Sequence, residues 1–282
     1  MSTSLRSRSF AQVDVFSAVP YLGNPVAVVL DADGLDNEAM AGFARWTNLS
    51  ETTFVLPPSA PGADYRLRIF TPSGELPFAG HPTLGSAHAW LEAGGVPKDD
   101  TTVVQQCDAG LVRLRRHARR LAFAAPPLRR GGPLDDATLQ RILDGTGLRR
   151  QDILDHQWVD NGPGWAAVLL WSADAVLAVE LDWSKVADMM FGVAGIRPGG
   201  SGAALQVRVF APGVSVTEDP VTDSLNAGLA QWLIGSGRLP RSYVASQGSH
   251  LQRDGRIYLD AVDDDVWVGG DCVTCIRGTV RL

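Results

Sequence analysis

The feature that most restricts this chain is an internal repeat. Residues 67–72, Leu-Arg-Ile-Phe-Thr-Pro, match residues 207–212, Val-Arg-Val-Phe-Ala-Pro, at an offset of 140. The same offset relates Ala27-Val-Val-Leu30 to Ala167-Val-Leu-Leu170. A turn precedes each, Gly23-Asn-Pro25 in one case and Asn161-Gly-Pro-Gly164 in the other. Beyond the Phe-x-Pro segment the offset becomes 143: Pro77 meets Pro220, Gly85 meets Gly228, Ala87 meets Ala230 and Gly94 meets Gly237. Loops accept a change of three residues. Ordered matches at a fixed spacing indicate a duplicated unit, each copy one half of the chain.

Each half reads as strand, turn, loop, helix. The repeated strands end at Phe70 and Phe210, and helices are expected over Pro82–Ala93 and Leu225–Ile234. Pro82 suits a first helical position. Ser224 suits an N-cap, and Gly94 and Gly235 suit C-terminal stops. The first helix carries Leu84, Gly85, Ala87, Ala89, Trp90 and Leu91, so it is small or apolar nearly all round and should be buried. The simplest host is a curved sheet. The expected fold is α+β: two pseudo-symmetric halves, each a barrel-like, mainly antiparallel sheet wrapped around a central helix.

Further strands are expected at Ala11–Phe16, Thr52–Leu56, Thr102–Gln106 and Gly110–Leu114 in the first half. Ala27–Leu30 is a further one there, and Trp165–Leu170, Tyr243–Ser246, Ile257–Ala261 and Val266–Gly270 are expected strands of the second half. More exposed helices are expected over Asn37–Thr47, Asp135–Thr146 and Lys185–Phe191. The stretch Ala125–Pro133 is rich in Pro and Gly and divides the chain into 1–127 and 128–282. The last strand is free to return to the N-terminal half.

Composition removes several function classes. The 282 residues are 45% hydrophobic and 20% charged, enough apolar material for two cores. A net charge of -6 gives no reason to expect nucleic acid or an anionic membrane. The basic cluster Arg113–Arg120 reads as the solvated face of a hairpin. The longest apolar run, Trp165–Trp171, is far short of the ~20 residues of a membrane span. The polar N-terminus has no apolar segment behind it, so no secretory signal is read there. Three cysteines make no disulfide framework, and a cytoplasmic location is the default. Cys272 and Cys275 sit in an extended segment, where residues three apart face opposite ways. His81 and His88 are seven apart, roughly 10 Å along a helix. No metal site is expected.

The chemistry is expected at the two loop-helix junctions. A helix N-terminus offers N–H groups and partial positive charge to an anion. If the halves face each other, both helix starts open on one cleft and can hold a small carboxylate substrate. The adjoining loops are Gly74-Glu-Leu-Pro-Phe-Ala-Gly-His81 and Val216-Thr-Glu-Asp219-Pro-Val-Thr-Asp223-Ser224. Glu51 lies in Asn48-Leu-Ser-Glu51-Thr-Thr-Phe54, between a helix end and a strand start. A carboxyl group packed among apolar chains suits proton transfer near neutral pH. Plainer readings exist: a surface acid for Glu51, a packed helix-start residue for His81, a loop acid for Asp219 and an N-cap for Ser224.

The strings Gly23-Asn-Pro-Val-Ala-Val-Val29, Asn48-Leu-Ser-Glu-Thr-Thr-Phe-Val55, Phe70-Thr-Pro72, Glu75-Leu-Pro-Phe-Ala-Gly-His-Pro82 and Glu218-Asp-Pro-Val-Thr222 resemble the PhzF-like family of phenazine biosynthesis. The resemblance runs from Val13 to about Gly278. It implies the diaminopimelate-epimerase-like fold, a homodimer, and proton transfer on a small carboxylate-bearing metabolite with no cofactor. By this resemblance Glu51 corresponds to the acid/base. His81 and Asp219 correspond to its catalytic partners. Gly80, Asp223 and Ser224 correspond to substrate-binding positions. A non-catalytic binder, or a lyase using Glu51 as base, is the alternative.

Two departures stand out. Epimerases of this fold use a thiol at each helix start, where this chain has Ala79 and Thr222, which cannot act as thiolates. The family's usual Thr-Gly-Ser is here Thr222-Asp223-Ser224. The repeat pairs Asp223 with Gly80, and its charge would repel a substrate carboxylate while favouring a basic group.

Overall fold

The computed structural model describes residues 5–197, 202–214 and 216–282. The chain forms two compact units: Met1–Phe123 with Gly269–Leu282, and Ala124–Val268. The division at 127/128 therefore lies four residues late, and the C-terminal strand falls in the first unit.

The first unit contains β1 (Ser7–Val15), β2 (Asn24–Val29), α1 (Asn37–Thr47), β3 (Thr52–Leu56), β4 (Tyr65–Thr71), β5 (Gly74–Leu76), α2 (Gly80–Glu92), β6 (Thr102–Cys107), β7 (Gly110–His117) and β8 (Arg120–Ala124). Its strand order is β16-β1-β2-β3-β4-β6-β7-β8, where β16 is Cys272–Arg281 and β5 pairs with β4. The β1/β2, β3/β4, β6/β7 and β7/β8 pairs are antiparallel, and β2/β3 and β4/β6 are parallel.

The second unit contains α3 (Asp136–Thr146), β9 (Ile153–Trp158), β10 (Ala166–Leu170), α4 (Ala173–Leu177), α5 (Trp183–Val186), β11 (Phe191–Ile196), β12 (Leu205–Phe210), α6 (Asp223–Gly235), β13 (Ser242–Gln247), β14 (Gly255–Val262) and β15 (Asp265–Gly270). Here the order is β9-β10-β11-β12-β13-β14-β15. The pair directions repeat those of the first unit: antiparallel for β9/β10, parallel for β10/β11, antiparallel for β11/β12, parallel for β12/β13 and antiparallel for β13/β14. The duplication read from a few strings is thus a duplication of the whole pairing scheme.

Helix α2 packs against β1, β2, β3, β4, β6 and β16, so the sheet wraps around it. Its residues from Gly80 to Ala87 are all buried. The repeated Gly85 explains how the strands come so close. A Cβ there would sit 2.4 Å from Val26 Cγ1 and 2.9 Å from Val15 Cγ2. Gly228 of α6 is as tight, with a Cβ placed 2.3 Å from the Val159 carbonyl oxygen.

The repeat also carries an ion pair. Arg68 donates to both oxygens of Glu75 at 2.7 and 2.6 Å, and Arg208 to both oxygens of Glu218 at 3.0 and 2.8 Å. Each guanidinium lies over the phenylalanine two residues on, 5.0 Å from the Phe70 ring and 5.1 Å from the Phe210 ring. This fixes the start of each loop that leads to a central helix.

Three sequence expectations need correction. Lys185–Phe191 is not a helix: α5 ends at Val186 and Phe191 opens β11. Val186 and Met189 do fill the core, so the helical spacing was genuine but served a single turn. Second, α2 and α6 begin at Gly80 and Asp223, so Pro82 is the third residue of its helix rather than the first. Third, Gly235 is the last residue of α6, and the left-handed residue after it is Gly237 (φ 70), the repeat partner of Gly94 (φ 92). The Arg113–Arg120 hairpin matches its reading, with Leu114 and Leu121 inside. Among the described residues no helix is long and apolar enough to cross a membrane.

Candidate active site

In the first unit the site is built where α1 ends. Asn48 closes that helix in the left-handed conformation (φ 54, ψ 28), its N–H donating to Ala44 O. The reversal feeds Leu49-Ser50-Glu51 into β3, and Ala27 N–H donates to the Glu51 carbonyl at 3.4 Å. Glu51 therefore stands at the head of a strand, facing the start of α2. There, His81 Nε2 lies 3.2 Å from Glu51 Oε2, with the side chains 6% and 15% exposed.

Burial pushes the His81 imidazole down from 6.5 to about 3, against the opposing effect of a hydrogen bond with the Pro25 backbone. Proline has no N–H, so the Pro25 carbonyl accepts and the imidazole donates. Nε2 faces Glu51, which leaves Nδ1 as that donor. The ring is neutral at physiological pH, and its Nε2 lies 3.2 Å from the Glu51 carboxyl group.

In the second unit the site is built at the start of α6. Thr222 is the N-cap residue, but its side chain makes no capping bond to the helix. Its hydroxyl donates instead to Asp219 Oδ2 at 2.5 Å. Asp219 is held by its own N–H, which donates to Val209 O at 3.1 Å. Asp223 is the first helical residue and is 8% exposed. Ser224 is not the N-cap expected from its residue type: it lies one position further into the helix. Its Oγ accepts from Trp165 Nε1 at 2.9 Å, and its carbonyl from Asn161 Nδ2 at 2.8 Å. Gly80 opens α2 as Asp223 opens α6, after an Ala79 that has no capping side chain to offer.

Within the units, Glu51 and His81 come together, and Asp219 joins Thr222 beside Asp223 and Ser224. Residues that the sequence did not single out support them. Gln247 accepts from Thr222 N–H and Asn226 Nδ2 and donates to Thr222 Oγ1 and the Asp219 carbonyl. Its signal was present: strand alternation puts Tyr243, Ala245 and Gln247 on one face, making Gln247 a polar residue in a buried row. The carbonyl of Pro25 left no such signal.

The halves are chemically unequal. Ala27 N–H bonds the Glu51 carbonyl as Ala166 N–H bonds the Met190 carbonyl at 3.0 Å, so Met190 is the counterpart of Glu51. A constant offset of 140 from Glu51 reaches Phe191, one residue further. His81 corresponds to Ser224, and Asp219 to Leu76. Thiol chemistry has no place at the helix starts. The thiols of Cys107, Cys272 and Cys275 lie elsewhere and are pushed up by burial.

Comparison with known proteins identifies the family and the fold. The family described as phenazine biosynthesis-like protein, PhzC-PhzF, matches residues 13–278. Antisense-enhancing sequence 1 of Schizosaccharomyces pombe is 35% identical, over 97% of this chain and 99% of that protein. The trans-2,3-dihydro-3-hydroxyanthranilate isomerase of Pseudomonas fluorescens is 34% identical, over 97% and 99%. A crystal structure of a PhzF-family protein from Bacillus anthracis superposes with a TM-score of 0.84 over 98% of this chain and all of that one, at 21% identity. The fold is the α+β, diaminopimelate-epimerase-like one. The chain belongs to the phenazine biosynthesis-like, PhzC-PhzF family of isomerases.

Proposed function

We propose that this isomerase moves a proton within a small carboxylate-bearing metabolite, without a cofactor, using Glu51 as both acid and base. The supporting observation is the enclosed contact between Glu51 Oε2 and a neutral His81 Nε2 at 3.2 Å. As a carboxylate, Glu51 takes a proton from an activated carbon and returns it to another. A charged imidazolium would hold Glu51 as a carboxylate and oppose its acid step. A neutral ring at this distance leaves Glu51 able both to take up a proton and to give it back.

Neither Ala79 nor Thr222 makes a side-chain cap bond to the helix it precedes, and a helix start is suited to a substrate carboxylate. Ser224 carries a hydroxyl in the first turn of α6, and Asp219, oriented by Thr222, is the polar group beside that helix start. The Pseudomonas fluorescens relative is named for a partly reduced aminobenzoate, so a cyclic amino acid is the first substrate class to assay.

The test is incubation in D2O, after dialysis against chelator, with trans-2,3-dihydro-3-hydroxyanthranilate and a panel of cyclic and open-chain amino acids. Isomerisation by proton transfer yields a product that differs in mass only by deuterium. A lost fragment would instead mean bond cleavage. Tight binding with no deuterium uptake would mean a binder that has kept the fold.

A further inference from the structure

We propose that Gln247 is a positioning residue for this isomerase, fixing Asp219 as a hydrogen-accepting carboxylate through Thr222. The inference rests on the reading of Asp219 as part of the catalytic machinery. It assigns a role to a strand residue that lies 28 positions away in sequence.

The argument is a count of donors and acceptors. Gln247 is 1% exposed. Its Oε1 accepts from Thr222 N at 3.1 Å and from Asn226 Nδ2 at 2.8 Å. Its Nε2 donates to the Asp219 carbonyl at 2.9 Å and to Thr222 Oγ1 at 3.0 Å. All four positions of the amide are used, which is its full capacity. The reversed amide would set oxygen against a carbonyl and nitrogen against two donors, so only one orientation is possible.

That orientation sets the next group. Thr222 Oγ1 receives a hydrogen from Gln247, and its own hydrogen runs to Asp219 Oδ2 at 2.5 Å. The donors therefore point one way, from amide to hydroxyl to carboxylate. A proton on the Oδ2 lone pair that faces Thr222 would put two hydrogens between the same pair of oxygens. Toward Thr222, Oδ2 is kept as an acceptor. Hydrogen bonds to a charged acceptor are the strong class, so the chain fixes direction as well as occupancy.

The first unit provides the contrast. Gln105 is also buried and also reaches a central helix, donating from Nε2 to Thr83 Oγ1 at 2.9 Å and accepting from the Tyr65 hydroxyl at 2.9 Å. Thr83 occupies the position of Asn226, so pinning the helix is common to both halves. Ala79 stands where Thr222 stands, and Leu76 where Asp219 stands, so nothing in the first half continues the chain of donors. The extension to a carboxylate belongs to the second half alone.

The experiment is isotope-edited infrared spectroscopy of 13C-aspartate-labelled protein at neutral pH, with the Asp219 band identified by its loss in Asp219→Asn. Wild type should show Asp219 as a carboxylate, and Thr222→Val, nearly equal in shape, should shift that band. Thr222→Ser should restore it, and Gln247→Leu should shift it in the same direction as Thr222→Val. In deuterium exchange with turned-over substrate, Thr222→Val should lower kcat by about tenfold, the loss of roughly one such bond, with KM little changed. A protonated carbonyl band for Asp219 in wild type overturns the proposal, as does a band that Thr222→Val leaves in place. If the bands behave as described but Asp219→Asn exchanges at the wild-type rate, the positioning stands and the catalytic reading of Asp219 falls.

Discussion

Enclosing a neutral imidazole changes how the stability of the protein responds to acid. His81 titrates near 3 when folded and near 6.5 when unfolded, so between those values the unfolded chain binds a proton that the folded chain does not. Stability therefore rises with pH through this window and is lost as pH falls below about 6.5. At 1.36 kcal/mol per unit, acidification from pH 6.5 to 5 should cost about 2 kcal/mol through His81. Urea unfolding of wild type and His81→Asn at both pH values checks this: the variant should lose that part of the pH dependence. A second prediction concerns Asp223, a buried acid at a position where its repeat partner is Gly80. Asp223→Gly should favour substrates without a basic group over those with one, read as the ratio of kcat/KM for matched substrate pairs. An unchanged ratio would remove Asp223 from substrate choice.

The elements show which of the repeated residues are structural. Gly85 and Gly228 are close-approach points, and overpacking such sites costs about 1–3 kcal/mol. Gly228→Ala should be the worse of the two, because its Cβ meets the Val159 backbone, whereas that of Gly85 meets side-chain methyls. Thermal unfolding of both variants measures the difference. The ion pairs differ in the same sense. The Arg208–Glu218 side chains are 3% and 7% exposed, against 16% and 24% for Arg68–Glu75. Glu218→Gln leaves a buried guanidinium without its counter-charge and should cost about 3 kcal/mol, while Glu75→Gln should cost about 1 kcal/mol. The elements legible in the sequence were those whose pattern is local. Alternation found β6, and the all-round apolar surface found α2. β11 was missed because Phe-Gly-Val-Ala-Gly-Ile is buried on both faces and does not alternate. The helix starts were misplaced because cap preference favours Ser224, whereas the hydroxyl of Thr222 serves Asp219 and that of Ser224 meets Trp165.

Across the whole molecule one scaffold is used twice with different chemistry. Strand order, pair direction, helix span and the Arg–Glu ion pair all repeat, while Glu51 and His81 give way to Met190 and Ser224. The repeat was legible because backbone duplication leaves Gly, Pro and Phe at fixed spacing. The candidate site was legible only in part. Glu51, His81 and Asp219 carry their chemistry in their residue type, but the Pro25 carbonyl and Gln247 act through contacts distant in sequence. The family resemblance also leads to a homodimer, for which sedimentation velocity should give twice the monomer mass. The central claim is that Glu51 moves the proton. Its most direct test is substrate deuterium uptake by Glu51→Gln, which keeps the size and polarity of the side chain but cannot ionise. The variant should bind substrate with near wild-type affinity and lose exchange by at least about a thousandfold, the upper part of the range for a general acid–base. Exchange at the wild-type rate would contradict the account.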